Sequence, residues 1–157
     1  MKTILLLAAA VLALDQATKF AALRAFAGGD AAPVDPMVVV PGFFDLRLAL
    51  NDGAAWGVLA GRQWLLVLVS VAMLAILWWN RRDLAASRLS RIAGGLLAGG
   101  IAGNLVDRAL RGRVVDFLDL HWREAYHYPT FNVADIAICS GVGLLLLHTV
   151  LCSRRKR

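Results

Sequence analysis

Apolar residues along this chain fall into four long blocks, separated by charged or alternating stretches. The blocks cover 3–26, 64–80, 89–110 and 133–151. A helix that crosses a bilayer needs roughly 20 mostly apolar residues, and each block approaches that length. The predicted fold class is therefore an all-α integral membrane protein, a bundle of four transmembrane helices. The second block, WLLVLVSVAMLAILWW, carries no charge and ends in a tryptophan pair suited to a membrane interface. The third is rich in small residues, GGLLAGGIAGN. Small residues let helices approach closely in lipid, which predicts that this helix packs at the centre of the bundle. The first block starts as a secretory signal peptide would, with Lys2 before ILLLAAAVLAL. Its apolar character continues past Asp15 through FAALRAFA, which favours a membrane helix.

Between the first two blocks the pattern changes to alternation. In VVVPGFFDLRLALNDGAAWG, Phe44, Leu46 and Leu48 fall on one face and Asp45 and Arg47 on the other. That period predicts one or two short strands ending in a glycine-rich turn, a small sheet over the outer membrane surface. The segment 111–132 reads as a second outer loop. The whole chain, 1–157, reads as a single membrane domain.

Composition agrees with the blocks: 59% of residues are hydrophobic and the mean hydropathy is +0.64. The net charge is +6. In a soluble protein this would point to nucleic acid, but here the basic residues sit at the ends of apolar blocks. Arg81, Arg82, Arg88 and Arg91 fill the link between the second and third blocks. Lys2 precedes the first block, and Arg154, Arg155, Lys156 and Arg157 follow the fourth. The positive-inside rule then places both termini and that link in the cytoplasm, with 27–63 and 111–132 outside. Cys139 and Cys152 lie roughly 20 Å apart on one helix, too far to bridge within it.

Ionisable groups inside hydrocarbon are costly and are usually functional. Asp15 lies about 18 Å along the first helix, past the midplane. Asn104, Asp107 and Arg108 occupy the last turns of the third helix, on one face at i, i+3, i+4, where Arg108 can pair with a carboxylate and order it. Asp135 lies in the first turn of the fourth helix and Asp116 in the adjoining outer loop. Separate segments thus bring polar groups to one level, the outer leaflet boundary. Asn132 and Asp135 also have the spacing of a helix cap and its N3 acid, a purely structural role.

Several chemistries can be weighed. Ser70, Ser87, Ser90, Ser140 and Ser153 have no GxSxG-like setting, and His148 is far from the outer cluster. Asp119, His121, Glu124 and His127 lack HExxH spacing and read as a solvated loop surface rather than a metal site. Aspartates remain. Two carboxylates sharing one proton can activate water, one taking its proton while the other polarises a carbonyl, with no cofactor or metal. Spacing leaves open which pair does so. Asp107 can serve a structural ion pair, and Asp15 can pair with Lys19 one turn on.

The motifs resemble those of the bacterial lipoprotein signal peptidase (signal peptidase II) family. LDQATK spans Leu14–Lys19, NDGAAWG spans Asn51–Gly57, and GGIAGNLVDR spans Gly99–Arg108. GRVVDF follows at Gly112–Phe117 and FNVADIAI at Phe131–Ile138. Each piece is weak alone, but together, in the family's order, they cover nearly the whole chain. The resemblance implies that Asp116 and Asp135 are the catalytic aspartates. It implies supporting roles for Asn104, Asp107, Arg108 and Asn132, and places Asp15, Lys19, Asn51 and Gly53 near the substrate. Trp56, where phenylalanine is also common, is expected to cover the site. The implied fold is a four-helix membrane bundle with a small extracytoplasmic β-cradle. The implied partners are membrane lipid and a diacylglyceryl-modified prolipoprotein, cut before its lipidated cysteine by a monomer in the bacterial inner membrane. No nucleic acid, metal or cofactor is called for. A small proton-coupled transporter using buried aspartates is the alternative, and a non-enzymatic scaffold is a third reading.

Overall fold

A computed structural model of the chain describes residues 1–26, 35–54, 58–123 and 125–154. In chain order the elements are α1 (Lys2–Phe26), β1 (Met37–Val40), β2 (Phe44–Asn51), α2 (Gln63–Trp79) and α3 (Arg81–Leu84). They continue with α4 (Arg88–Arg111), β3 (Val114–Trp122), β4 (Tyr126–His127) and α5 (Val133–Arg154).

Helix α4 is the hub: α1, α2 and α5 all pack on it. The reason lies in its small residues. A Cβ at Gly99 would lie 2.6 Å from Val11 Cβ, and one at Gly100 would lie 2.5 Å from the Ala134 carbonyl, so only glycine permits this approach. The helix starts at a capping box in which Ser87 and Ser90 serve each other's backbone, and it stops at Gly112, whose φ of 71° suits glycine. On α1 the buried residues Ile4, Val11, Asp15, Lys19, Ala22 and Phe26 recur every three, four or seven positions and form one stripe.

Among the described residues three helices are long and apolar enough to cross a membrane: α1, α4 and α5 over Val133–Ser153. Helix α2 has 17 residues, about 25 Å of rise against a hydrocarbon core of about 30 Å.

The strands form one antiparallel sheet in the order β1-β2-β3-β4. Leu46 and Leu48 of β2 pack with Phe117 against Ala22 and Phe26, seating the sheet on the end of α1. Asp45 and Arg47 take the other face, as the alternation requires. The expectation of a loop over 111–132 is corrected here. Its residues supply β3, which pairs with β2 from Asn51↔Val114 to Phe44↔Leu120, and the short β4. Val114, Val115, Asp116 and Phe117 are buried in succession, so the half-buried alternation that betrays a surface strand is missing from β3.

Candidate active site

Toward the C-terminal end of α1, Lys19 is fully buried and makes three polar contacts. Its Nζ is 2.9 Å from Asp15 Oδ2, 2.9 Å from Asp107 Oδ2 and 2.8 Å from Asn104 Oδ1. Each carboxylate also binds backbone from a different element. Asp15 Oδ1 accepts from Ala134 N at 2.9 Å, capping α5 from α1. Asp107 Oδ2 accepts from Val115 N at 3.1 Å, fastening β3 to α4. A buried ammonium between two carboxylates is tolerable because every partner is hydrogen-bonded. Helices α1, α4, α5 and strand β3 are thereby locked in register.

Asp116 and Asp135 adjoin this cluster, joined to it through Asn104 and Asn132. Asp116 Oδ1 accepts from Asn132 Nδ2 at 2.6 Å and Oδ2 from Asn51 Nδ2 at 3.0 Å. Asp135 Oδ1 accepts from Asn104 Nδ2 at 2.8 Å and Oδ2 from Asn132 N at 3.1 Å. All four carboxylate oxygens are held by neutral N–H groups. Asn132 also accepts from Asp135 N at 3.0 Å, the reciprocal cap that the spacing allowed. The cap and the link to Asp116 therefore coexist in one residue. Both aspartates line a cleft of about 180 Å³ walled by Asn51, Asn104, Arg108, Tyr128 and Phe131. Burial pushes Asp116 up from its ordinary 3.8 to about 6. The Asn51 and Asn132 amides oppose that shift, and the charge of Asp135 adds to it.

Three site expectations change. Among the described residues Arg108 hydrogen-bonds no carboxylate: its Nη2 donates to the Gly53 carbonyl at 3.2 Å, clasping the turn after β2. Gly53 N in turn donates to Asn51 Oδ1 at 2.9 Å, which fixes the Asn51 amide that serves Asp116. The cation on Asp107, besides Lys19, is Arg111, one turn on. Finally, Asp119 is not on a solvated surface. It is 1% exposed and faces Arg47 at 3.0 Å and His127 at 3.3 Å, while His121 faces Asp45 at 3.2 Å and stacks on His127. The two faces of β2 explain this, because Asp45 and Arg47 look away from the core. Among the described residues no group of three or more His, Cys, Asp or Glu is placed to hold a metal ion. Trp56 and Glu124 lie outside the described residues.

Gln16 and Arg111 escaped the sequence reading. Gln16 Nε2 reaches Asp15, Asp107 and the Gly103 carbonyl, and Arg111 Nη1 donates to Gln16 Oε1 at 3.0 Å. The signal was available: Gln16 follows Asp15, and Arg111 stands at i+4 from Asp107.

Residues 7–151 match the family described as signal peptidase (SPase) II. The chain belongs to the signal peptidase II family. It is 45% identical to the lipoprotein signal peptidase of Syntrophotalea carbinolica over 93% of this chain and 89% of that one. With the lipoprotein signal peptidase of Bacillus subtilis it shares 37% identity over 97% of this chain and 96% of the relative. A bacterial membrane enzyme solved by the in meso method superposes with a TM-score of 0.86 at 31% identity, covering all of this chain and 93% of the other. Family membership makes the chain a protease, and the apolar helices make it a multi-pass membrane protein. The transport alternative gains no support from these relatives.

Proposed function

We propose that this signal peptidase II family member is a membrane-embedded aspartic endopeptidase. It removes the signal peptide from diacylglyceryl-modified prolipoproteins, cutting immediately before the lipidated cysteine, with Asp116 and Asp135 as the catalytic pair. The observation that carries this reading is that both carboxylates line one cleft with each oxygen held by a neutral amide. Neutral donors orient a carboxylate without supplying a counter-charge, so the pair keeps a reason to share a proton.

One aspartate, ionised, takes a proton from water as it attacks the scissile carbonyl. The other, protonated, donates to the carbonyl oxygen. The proton then passes to the leaving nitrogen and the peptide bond breaks. The pair titrates as a unit. Asn51, Asn104 and Asn132 are positioning residues for the two carboxylates. Lys19 with Asp15 and Asp107 holds their scaffold, and Arg108 and Gly53 hold the turn that carries Asn51. Trp56 follows Gly53 by three positions, and we assign it the cover over the cleft.

In this reading residues 1–157 form a single membrane domain. Helix α2 is the fourth span, both termini are cytoplasmic, and the cleft opens near the outer leaflet of the bacterial inner membrane. The strands form the extracytoplasmic β-cradle. Cleavage of a diacylglyceryl-modified prolipoprotein by purified protein in detergent tests the proposal, with a chelator control. Cutting before the lipidated cysteine should fall to background in both Asp116→Asn and Asp135→Asn and be indifferent to chelator. Full activity in either variant, or no cutting by the native chain, sinks it.

A further inference from the structure

Helices α1 and α2 both lie on α4 but hardly touch one another. Between them runs an apolar groove of about 230 Å³. Ile4 and Leu5 form one wall and Leu74 and Leu77 the other. Leu84 lies buried along it, packed over Gly94, where a Cβ would come within 3.3 Å of its side chain. The groove is remote from the dyad: Ile4 lies 15 residues before Lys19 on α1, about 22 Å along the helix.

Its mouth is cationic. Arg81, which also lines the groove, stands with its guanidinium 4.8 Å over the Trp78 ring and donates one hydrogen bond, 3.0 Å, to the Trp78 carbonyl. A guanidinium carries five N–H groups in a planar fork, so most of this fork is left to an outside acceptor. Among the described residues no carboxylate pairs with Arg81, Arg82 or Arg88. The link from 80 to 91 sets four arginines against one aspartate, Asp83. A hydrocarbon-lined groove gives water no polar partners, and an excess of unpaired arginine at its end complements a phosphate.

We propose that this groove binds an anionic phospholipid, with one acyl chain between α1 and α2 and the phosphate on the Arg81 fork. The site is separate from the cleft and does not depend on what the dyad cleaves. Anionic charge selects the ligand, because zwitterionic headgroups carry a cation that the arginine-rich link repels.

Native mass spectrometry of the full chain, delipidated in detergent, is the test. The lipids are phosphatidylglycerol and phosphatidylcholine with identical acyl chains. Phosphatidylglycerol should be retained at concentrations at least tenfold below phosphatidylcholine. Arg81→Gln should reduce that preference to less than twofold, while Arg82→Gln with Arg88→Gln should leave most of it. Leu77→Trp, which fills the groove and leaves Arg81 in the chain, should weaken both lipids, and prolipoprotein cleavage in detergent should persist in every variant as the check on folding. Equal retention of the two lipids by the native chain overturns the proposal. So does a preference that survives Arg81→Gln, retention of both lipids that Leu77→Trp leaves unchanged, a preference that vanishes only in the Arg82/Arg88 variant, or displacement of phosphatidylglycerol by millimolar inorganic phosphate alone.

Discussion

Lys19 Nζ lies 2.8 Å from Asn104 Oδ1, and that contact decides which end of the Asn104 amide faces Asp135. An ammonium can only donate, so the amide oxygen must turn toward Lys19. The Asn104 nitrogen is thereby aimed at Asp135 Oδ1, 2.8 Å away. A buried cation on α1 thus sets the donor that orients a carboxylate on α5, with neither helix contributing backbone to the contact.

Asn104→Asp tests that relationship. The new side chain keeps an oxygen for Lys19 but replaces the N–H facing Asp135 with a second oxygen. Activity should fall by roughly 10²–10³, the scale seen when one positioned donor is lost. The loss should appear in kcat more than in KM, and thermal stability should be nearly retained because Lys19 gains an anion. Retained kcat would remove Asn104 from the positioning shell.

Lys19→Met and Arg111→Ala should separate a structural cation from a peripheral one. The first leaves Asp15 and Asp107 buried without their shared counter-charge and should cost roughly 3–5 kcal/mol. It also loosens the caps those carboxylates place on Ala134 N and Val115 N. Arg111 is 32% exposed where it meets Asp107, so Arg111→Ala should cost about 1 kcal/mol or less. Denaturation in detergent, read by tryptophan fluorescence, should rank the two. Equal losses would mean that solvent reaches Lys19.

Much of the bundle was legible before any geometry. The apolar blocks at 3–26, 64–80, 89–110 and 133–151 differ from α1, α2, α4 and α5 by only a few residues at each end, because long runs of apolar side chains leave a helix as the way to satisfy the backbone in lipid. The glycines of the third block foretold its central place, and the split of Leu46 and Leu48 from Asp45 and Arg47 foretold the two faces of β2. The strand β3 was not legible, since four consecutive buried residues from Val114 erase the period of two. The candidate site was legible as a level rather than as a network. Spacing brought Asn104, Asp107 and Arg108 to one helix face but could not say that Arg108 turns to the Gly53 carbonyl while Arg111 takes Asp107. The Gly53 carbonyl belongs to the turn after β2, a segment distant in sequence.

Gly103→Ala probes the tightest seam of that network. A Cβ at Gly103 would be driven into the Asp15 carboxylate, displacing it from Lys19 and Ala134 N, with an overpacking cost of about 1–3 kcal/mol before the lost contacts are added. Gly143→Ala is the matched control, since nothing lies within 4 Å of its Cβ position. It should be neutral or stabilise α5 by up to about 1 kcal/mol. If both variants melt alike, close approach at Gly103 is not what the small residue supplies.

The raised Asp116 gives the fold a dependence on pH whose sign can be worked out. Its folded value is about 6 against an ordinary 3.8, so between those values the folded state holds more of the proton than the unfolded chain does. Stability from the neutral form is fully present below pH 3.8 and is lost as pH rises through about 6. A gap of that size is worth roughly 3 kcal/mol. Asp116→Asn cannot titrate, so unfolding free energies measured from pH 4 to pH 7 should show the native chain losing ground to the variant by about that amount. Any constant offset from the new amide facing the Asn51 and Asn132 donors cancels in the slope. Asp135→Asn should narrow the window, because the Asp135 charge helps to raise Asp116. A native-minus-variant difference that stays flat across this range would mean that folding does not raise Asp116.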